Sequence, residues 1–223
     1  MATTRSYGDA CGVARALDAV GERWSLLVVR ELLLAPRRFS DLRRSLPAVS
    51  SNMLTDRLRE LEGRDVLRRR PPTAPSGPVA YELTSLGRDL EPVLVALGAW
   101  GQRFPRPTGA CPATSTSVLL LLRGALRGVS DAPQATFVFE LDDRTWTVRI
   151  RDGDVDVLDG AAATYDVHLR TAAATLDTLV QDPATLGTVL ERGEAAVNGD
   201  VTALRRLLAN VSLSAAPGLP AAR

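Results

Sequence analysis

The stretch Phe39–Arg70, FSDLRRSLPAVSSNMLTDRLRELEGRDVLRRR, decides the fold of the first half of this chain. Its spacing predicts a short helix over Ser40–Leu46, a turn containing Pro47, a second helix over 51–64, and a basic strand opening at Leu67–Arg70. That order is a helix-turn-helix followed by a wing. Leu54, Leu58 and Leu61 recur at i, i+4 and i+7, so the second helix carries one apolar stripe that has to face a core. Asn52, Asp56 and Arg59 then fall on the opposite face, with Ser51 and Thr55 near its amino-terminal edge. A solvated face of hydrogen-bonding side chains is what base edges in a major groove require. An ordinary amphipathic surface helix has the same period, so the neighbouring segments have to decide. Ser40 and Ser50 are each placed to cap the helix that follows.

Upstream, Val13, Leu17 and Val20 predict a first helix over Gly12–Val20, closed by Gly21. Glu22–Leu34 is apolar nearly all round and stops before Pro36, so it is expected to run through the middle of a first domain. Arg37–Phe39 is expected to form a brief strand. Downstream, Val66–Arg70 is expected to pair with Val79–Leu83 across PPTAPSGP, whose four prolines favour an extended, protruding loop. Thr84 should cap one long helix, kinked at Pro92, that bears Leu86, Leu90, Val93, Leu94, Leu97 and Trp100. That stripe is too wide for one neighbour in so small a domain and suits a helical dimer interface.

Residues 105–117 are rich in Pro, Gly, Ser and Thr and read as a linker. Beyond a helix over Val118–Gly128 the apolar period changes from that of a helix to that of a strand. Four segments alternate: Phe137, Phe139 and Leu141; Trp146, Val148 and Ile150; Val155 and Val157; Tyr165, Val167 and Leu169. Each strand should have one wet face and one buried face, as in an antiparallel sheet covered on one side. Asp142-Asp143 and Asp152-Gly153-Asp154 read as hairpin turns. Helices over 174–180 and 184–191 follow, then a short strand at 194–197, a turn at Asn198-Gly199, and a helix capped by Asp200. The expected architecture is α+β: a winged helix-turn-helix domain over 1–104, the linker, a layered domain with a mainly antiparallel sheet over 118–213, and a flexible tail over 214–223. Phe137, Phe139, Trp146, Val148, Tyr165 and Val167 are candidates to line an apolar pocket, and core packing would use the same residues.

The near-neutral net charge of +1 hides a division. Residues 1–107 carry a net +5 and residues 108–223 a net −4, and every basic residue is Arg. Arginine suits bidentate contact with phosphate or guanine, although a GC-rich genome produces the same bias. No run of about 18 apolar residues spells a membrane span, and MATTRSYGDA lacks an apolar signal core. A cytoplasmic protein that enters no membrane is expected. Two cysteines a hundred residues apart build neither a disulfide framework nor a metal site. Cys11, just ahead of the first helix, is either a thiol activated by the helix terminus or a buried, inert one. The single histidine, His168, alternates onto a polar strand face and completes no triad. Asp152, Asp154, Asp156 and Asp159 lack Ca²⁺-loop spacing, and no phosphate-binding glycine loop is present. No cofactor, metal or catalytic residue is therefore expected, and an enzyme is the weakest class.

Cys11-Gly12-Val13, Ala16-Leu17, Trp24, Arg38-Phe39-Ser40-Asp41-Leu42-Arg43, the run Leu54–Glu62 and Tyr81-Glu82-Leu83-Thr84-Ser85-Leu86-Gly87 resemble, in order, the HxlR family of bacterial winged-helix regulators. The match covers roughly residues 11–103, with a longer and more proline-rich wing as the departure. The resemblance implies a homodimer built on the first and last helices. It also implies a partly palindromic double-stranded DNA operator, with the 51–64 helix in the major groove and the wing along the backbone. Base contacts are then expected from Ser51, Asn52, Thr55, Asp56 and Arg59. Backbone contacts are expected from Arg38, Ser40, Arg43, Arg44, Arg57, Arg68, Arg69 and Arg70. Relatives commonly carry a cysteine at the Cys11 position, and in some it senses oxidants. Trp146-Thr147-Val148, Asp152-Gly153, Gly160, Gly193 and Asn198-Gly199-Asp200 resemble a sterol-carrier-type (SCP-2-like) domain, which implies a tunnel for a small hydrophobic or lipid-like effector. Two alternatives stand beside a ligand-sensing regulator: a lipid carrier that uses its first domain only to dimerise, and a thiol-based regulator acting through Cys11.

Overall fold

In a computed structural model, which describes residues 6–71, 78–129 and 132–211, the chain divides into two units, residues 1–94 and 95–223. The first unit opens with Gly12–Val20 (α1) and Ser25–Leu32 (α2), followed by Arg37–Arg38 (β1) and Phe39–Ser45 (α3). Ser51–Gly63 (α4), Leu67–Arg70 (β2), Ala80–Leu83 (β3) and Ser85–Arg88 (α5) complete it, and the unit boundary falls inside Glu91–Gly101 (α6). The core beneath is made by Val28, Val29, Leu32, Leu42, Leu54, Leu58, Leu61, Leu67 and Leu83. Leu54, Leu58 and Leu61 are the stripe that the spacing of the second helix turned inward. The three strands order as β1-β3-β2, all antiparallel, with Leu67 opposite Leu83 and Arg70 opposite Ala80. The strand pair of the wing is therefore present, while residues 72–77, most of the expected protruding loop, lie outside the described residues.

Three local expectations are corrected. The all-apolar segment yields a shorter helix than Glu22–Leu34, because Trp24 sits in the left-handed region at φ 80° and starts α2 only at Ser25. Ser40 does not cap α3: it lies within the helix, and the Asp41 carboxylate accepts from the Arg38 N–H at 3.1 Å. The expected long kinked helix is two helices. Thr84 caps α5 by accepting from the Gly87 N–H, and Pro92 lies in the first turn of α6, where its missing N–H leaves no helical bond broken. Gly87 is required there, since a Cβ would stand 2.0 Å from the Val66 carbonyl oxygen.

A buried ion cluster, which no sequence pattern marks, lies beside the core of the first unit. Glu31 on α2 has no exposed surface, Arg30 Nη2 lies 2.7 Å from its carboxylate, and Arg37 Nη2 approaches to 3.8 Å from β1. Arg37 Nε also donates to the Glu31 carbonyl at 3.4 Å. This polar staple ties α2 to the strand that leads into α3.

In the second unit, Ser115–Leu126 (α7) starts three residues before Val118, inside the segment expected to be linker, because Thr114 accepts from the Ser117 N–H as its cap. The strands are Ala135–Leu141 (β4), Arg144–Arg151 (β5), Asp154–Asp159 (β6), Val167–Thr171 (β7) and Ala195–Gly199 (β8). Helices Ala173–Gln181 (α8) and Leu186–Glu191 (α9) lie between the last two strands, and Val201–Asn210 (α10) follows them. The sheet order is β6-β5-β4-β7-β8. Its pairs are antiparallel except β4–β7, which is parallel, because residues 160–166 cross over the sheet instead of forming a hairpin. That crossover corrects the expectation of one fully wet face. Thr147 Oγ1 donates to the Gly160 carbonyl at 2.8 Å and accepts from the Ala162 N–H at 2.9 Å, and both Thr147 and Val138 are buried.

Asp142, Asp152 and Gly153 take positive φ, as tight hairpin turns demand. Asn198-Gly199, expected as a turn, instead extends β8 opposite His168 and Val167. Gly199 has φ 98°, and a Cβ there would stand 2.1 Å from the Asp166 carbonyl. Asp200 caps α10 by accepting from Thr202 and Ala203. Arg106, in the segment expected to be linker, forms an ion pair of 2.8 Å with the nearly buried Asp177 of α8. The expected tail, 214–223, lies outside the described residues.

Candidate nucleic-acid interface

The second helix of the helix-turn-helix, α4, is launched by Ser50, whose hydroxyl accepts from the Met53 N–H at 3.2 Å. Leu54, Leu58 and Leu61 anchor it in the core. Ser51, Asn52, Asp56 and Arg59 are exposed on its outward side, and Thr55 is half-buried with its hydroxyl donating to the Ser51 carbonyl at 2.9 Å. Arg59 Nη1 lies 4.0 Å from Asp56 Oδ1, one turn earlier on the same exposed face. Met53 is also exposed there, three residues before Asp56, and the sequence reading passed over it. Its place on the helical wheel could have shown it, and an apolar side chain in that position suits a thymine methyl.

The arginines sort into two groups. Arg38, Arg44 and Ser40 are exposed on or beside α3. On the wing, Arg68 Nε donates to Glu82 at 2.8 Å, Arg70 lies 3.9 Å from the same carboxylate, and Arg69 Nε lies 3.3 Å from Glu62. Each of these three side chains stays more than half exposed, and two positive heads share the single charge of Glu82. Arg43 and Arg57 face inward instead. Arg43 donates from Nη1 to the Val49 carbonyl and closes the turn between α3 and α4. Arg57, expected at the DNA backbone, has a side chain only 14% exposed and pairs with Glu60 at 2.6 Å and Glu22 at 3.5 Å.

Two helices leave apolar side chains in water. On α1 these are Val13 and Leu17; on α6 they are Val93, Leu97 and Trp100, and Trp100 stacks edge-on against Phe104 at 4.8 Å. No residue of α6 is buried within this chain. Cys11 is exposed at the amino terminus of α1, which corrects the buried alternative. Hydrogen bonds from the backbone N–H groups of Val13 and Ala14 hold its thiol below the ordinary cysteine range. Cys111 is exposed too.

The candidate pocket residues divide. Phe137, Phe139, Trp146, Val148 and Val167 each have 0% exposure. A side chain that lines a cavity large enough for water would show accessible surface to it, so these five form a packed core in this conformation. Tyr165 is not among them. It precedes β7, is exposed, and stands edge-on to His168 at 5.5 Å. His168 is half-exposed and lies 3.5 Å from Glu140, which also receives Arg170 at 3.0 Å. Among the described residues, no group of three or more His, Cys, Asp or Glu side chains could hold a metal ion, and no helix is long and apolar enough to cross a membrane.

A capped recognition helix with a polar outer face, set beside an arginine-bearing two-stranded wing, defines a winged helix-turn-helix DNA-binding domain. The chain belongs to the HxlR-like helix-turn-helix family, whose model matches residues 19–108. A second model, the SCP-2 sterol transfer family, matches residues 122–209. An uncharacterized HTH-type transcriptional regulator of Bacillus subtilis, YdeP, is 34% identical over 43% of this chain and 75% of its own length. A counterpart in Mycobacterium tuberculosis is 42% identical over 44% of this chain and 61% of its own. Among solved structures, the redox regulator HypR in its oxidized form shows 32% identity over 44% of this chain and 100% of that one, at a TM-score of 0.41.

Proposed function

We propose that this protein is a homodimeric transcriptional regulator that binds a partly palindromic DNA operator and responds to a small hydrophobic or lipid-like effector through its second unit. The observation that carries the DNA reading is α4: its apolar stripe is fully used by the core, and Asn52, Met53, Asp56 and Arg59 are left facing outward. Arg59 suits guanine O6 and N7, Asn52 suits an adenine edge, and Asp56 orients Arg59 or accepts from a cytosine amino group. Arg38, Arg44 and Arg68–Arg70 suit phosphates. The exposed apolar faces of α1 and α6 support pairing with a second copy, which would set the spacing of two recognition helices.

The SCP-2 family match supports an effector in the second unit. Because the five central candidate residues are sealed, such an effector would have to select a more open conformation and shift the population toward it. The exposed Cys11 with its lowered pKa supports a second input, oxidation or alkylation at the end of α1. The test is an anisotropy titration of the full chain against its own upstream DNA and against random duplex. Preferential binding that weakens steeply with salt is expected; equal affinity for both duplexes ends the regulator reading.

A further inference from the structure

We infer that Arg57 is a positioning residue of the recognition helix, and that its ion pair with Glu22 is the contact by which helix α1 sets the aim of α4. The inference rests on the DNA-binding reading above and adds to it a route from α1 to the reading face. Arg57 lies on α4 between the base-facing Asp56 and the buried Leu58, and its guanidinium turns away from the outer face. Glu60, one turn on, grips it at 2.6 Å and 3.0 Å, and Glu22 meets it at 3.5 Å from the loop between α1 and α2. Its Nε and Nη1 are buried without a hydrogen bond to any described residue, so the contacts with Glu22 and Glu60 through Nη1 are charge pairs, and the side chain, 14% exposed, is enclosed by protein.

The loop that holds Glu22 is tied down by backbone hydrogen bonds at both ends. The Gly21 N–H donates to the Leu17 carbonyl at 2.7 Å, and a Cβ at Gly21 would stand 2.4 Å from that oxygen. Trp24 is held at φ 80°, a conformation unfavourable for an aromatic residue, and the Glu22 and Trp24 carbonyls accept from Ser25 and Val28 at 3.0 Å and 2.9 Å. A rotation of α1 therefore moves Glu22 as part of a rigid bracket, and Glu22 acts on α4 through Arg57. Helix α1 carries Cys11 at its other end and the exposed Val13 and Leu17 along its outer side. A change at the thiol or in how α1 is covered has this pair as a path to the residues that read bases.

The experiment titrates the full chain, parent and variants, against its upstream duplex and a random duplex at several salt concentrations. Arg57→Gln should weaken the upstream duplex by about tenfold, and Glu22→Gln, at a side chain 56% exposed and so without risk to folding, by about threefold. Random-duplex affinity should stay within about twofold, the salt slope should be unchanged, and the double variant should be no weaker than Arg57→Gln alone. A salt slope smaller by about 1, with both duplexes weakened alike, would make Arg57 a phosphate contact and overturn the inference. So would a Glu22→Gln variant that binds like the parent. Should the parent itself show no preference for its upstream duplex, the regulator reading falls. The pair is then judged by hydrogen exchange of the α4 amides, where protection unaltered by Glu22→Gln sinks it.

Discussion

Replacing Glu31 by Ala should destabilise the first unit more than any substitution on the exposed face of α4. The carboxylate is fully buried, with Arg30 at 2.7 Å and Arg37 at 3.8 Å. Arg30 keeps 24% of its side chain in water and can turn outward, whereas Arg37 keeps only 6%. The cost therefore falls mainly on Arg37, which loses one of its contacts in a medium that solvates charge poorly. Breaking one side of a buried pair costs about 3 to 5 kcal/mol. For a unit of this size each kcal/mol moves the melting temperature by about 4 to 8 °C, so a drop of roughly 12 to 40 °C is predicted. Urea unfolding followed by circular dichroism would measure it, with hydrogen exchange of α2 and α4 locating the loss. The double replacement Glu31→Leu with Arg37→Met removes both charges and should recover most of the stability. A cost below about 1 kcal/mol for Glu31→Ala, or additive effects of the two single changes, would refute the staple.

Arg59→Ala should relax base preference at one operator position by about 1 to 3 kcal/mol; Arg68→Ala should weaken all duplexes alike and flatten the salt slope by about 1, as competition titrations would show. Trp100→Asp removes an exposed apolar anchor from α6, and at on the order of 2 kcal/mol per copy it should raise the dimer dissociation constant by about a thousandfold, read by light scattering across dilution. An unchanged mass distribution would exclude α6 from the interface. Cys11 holds its thiol below the usual pKa, so its thiolate is more populated at neutral pH than that of an ordinary cysteine. Its alkylation rate, followed by peptide mass spectrometry, should rise at lower pH than that of a free cysteine peptide; a midpoint at or above the peptide's would contradict the backbone hydrogen bonds to Val13 and Ala14.

Local periodicity carried most of the fold. The Leu54, Leu58 and Leu61 stripe, the Ser50 and Asp200 caps, the pairing of 67–70 with 80–83 and the alternation of β4, β5 and β6 all depend on residues within a turn or a hairpin of one another. Such interactions are written in the order of side chains, and so was the exposed polar face of α4, which is the complement of its stripe. What the order could not reveal is which distant group each side chain meets. Arg57 and Arg59 are two residues apart and chemically identical, yet one is drawn inward by Glu22 and Glu60 while the other stays in water.

The same reason explains the remaining differences. Pro92 is compatible with either a kink or a helix start, and packing of α5 on the Val66 carbonyl through Gly87 chose the start. The β4–β7 pairing is parallel because residues 160–166 cross the sheet, a matter of topology that alternation cannot encode. Alternation in β4 and β5 marks Phe137, Phe139, Trp146 and Val148 as inward, but a filled core and an open pocket require the same alternation. Only the packed tertiary structure, by leaving them no accessible surface, decided between the two. The sequence by itself determined where the helix-turn-helix and its wing lie. The tertiary structure decided which of its arginines face solvent, because burial and charge pairing are set by neighbours far away along the chain.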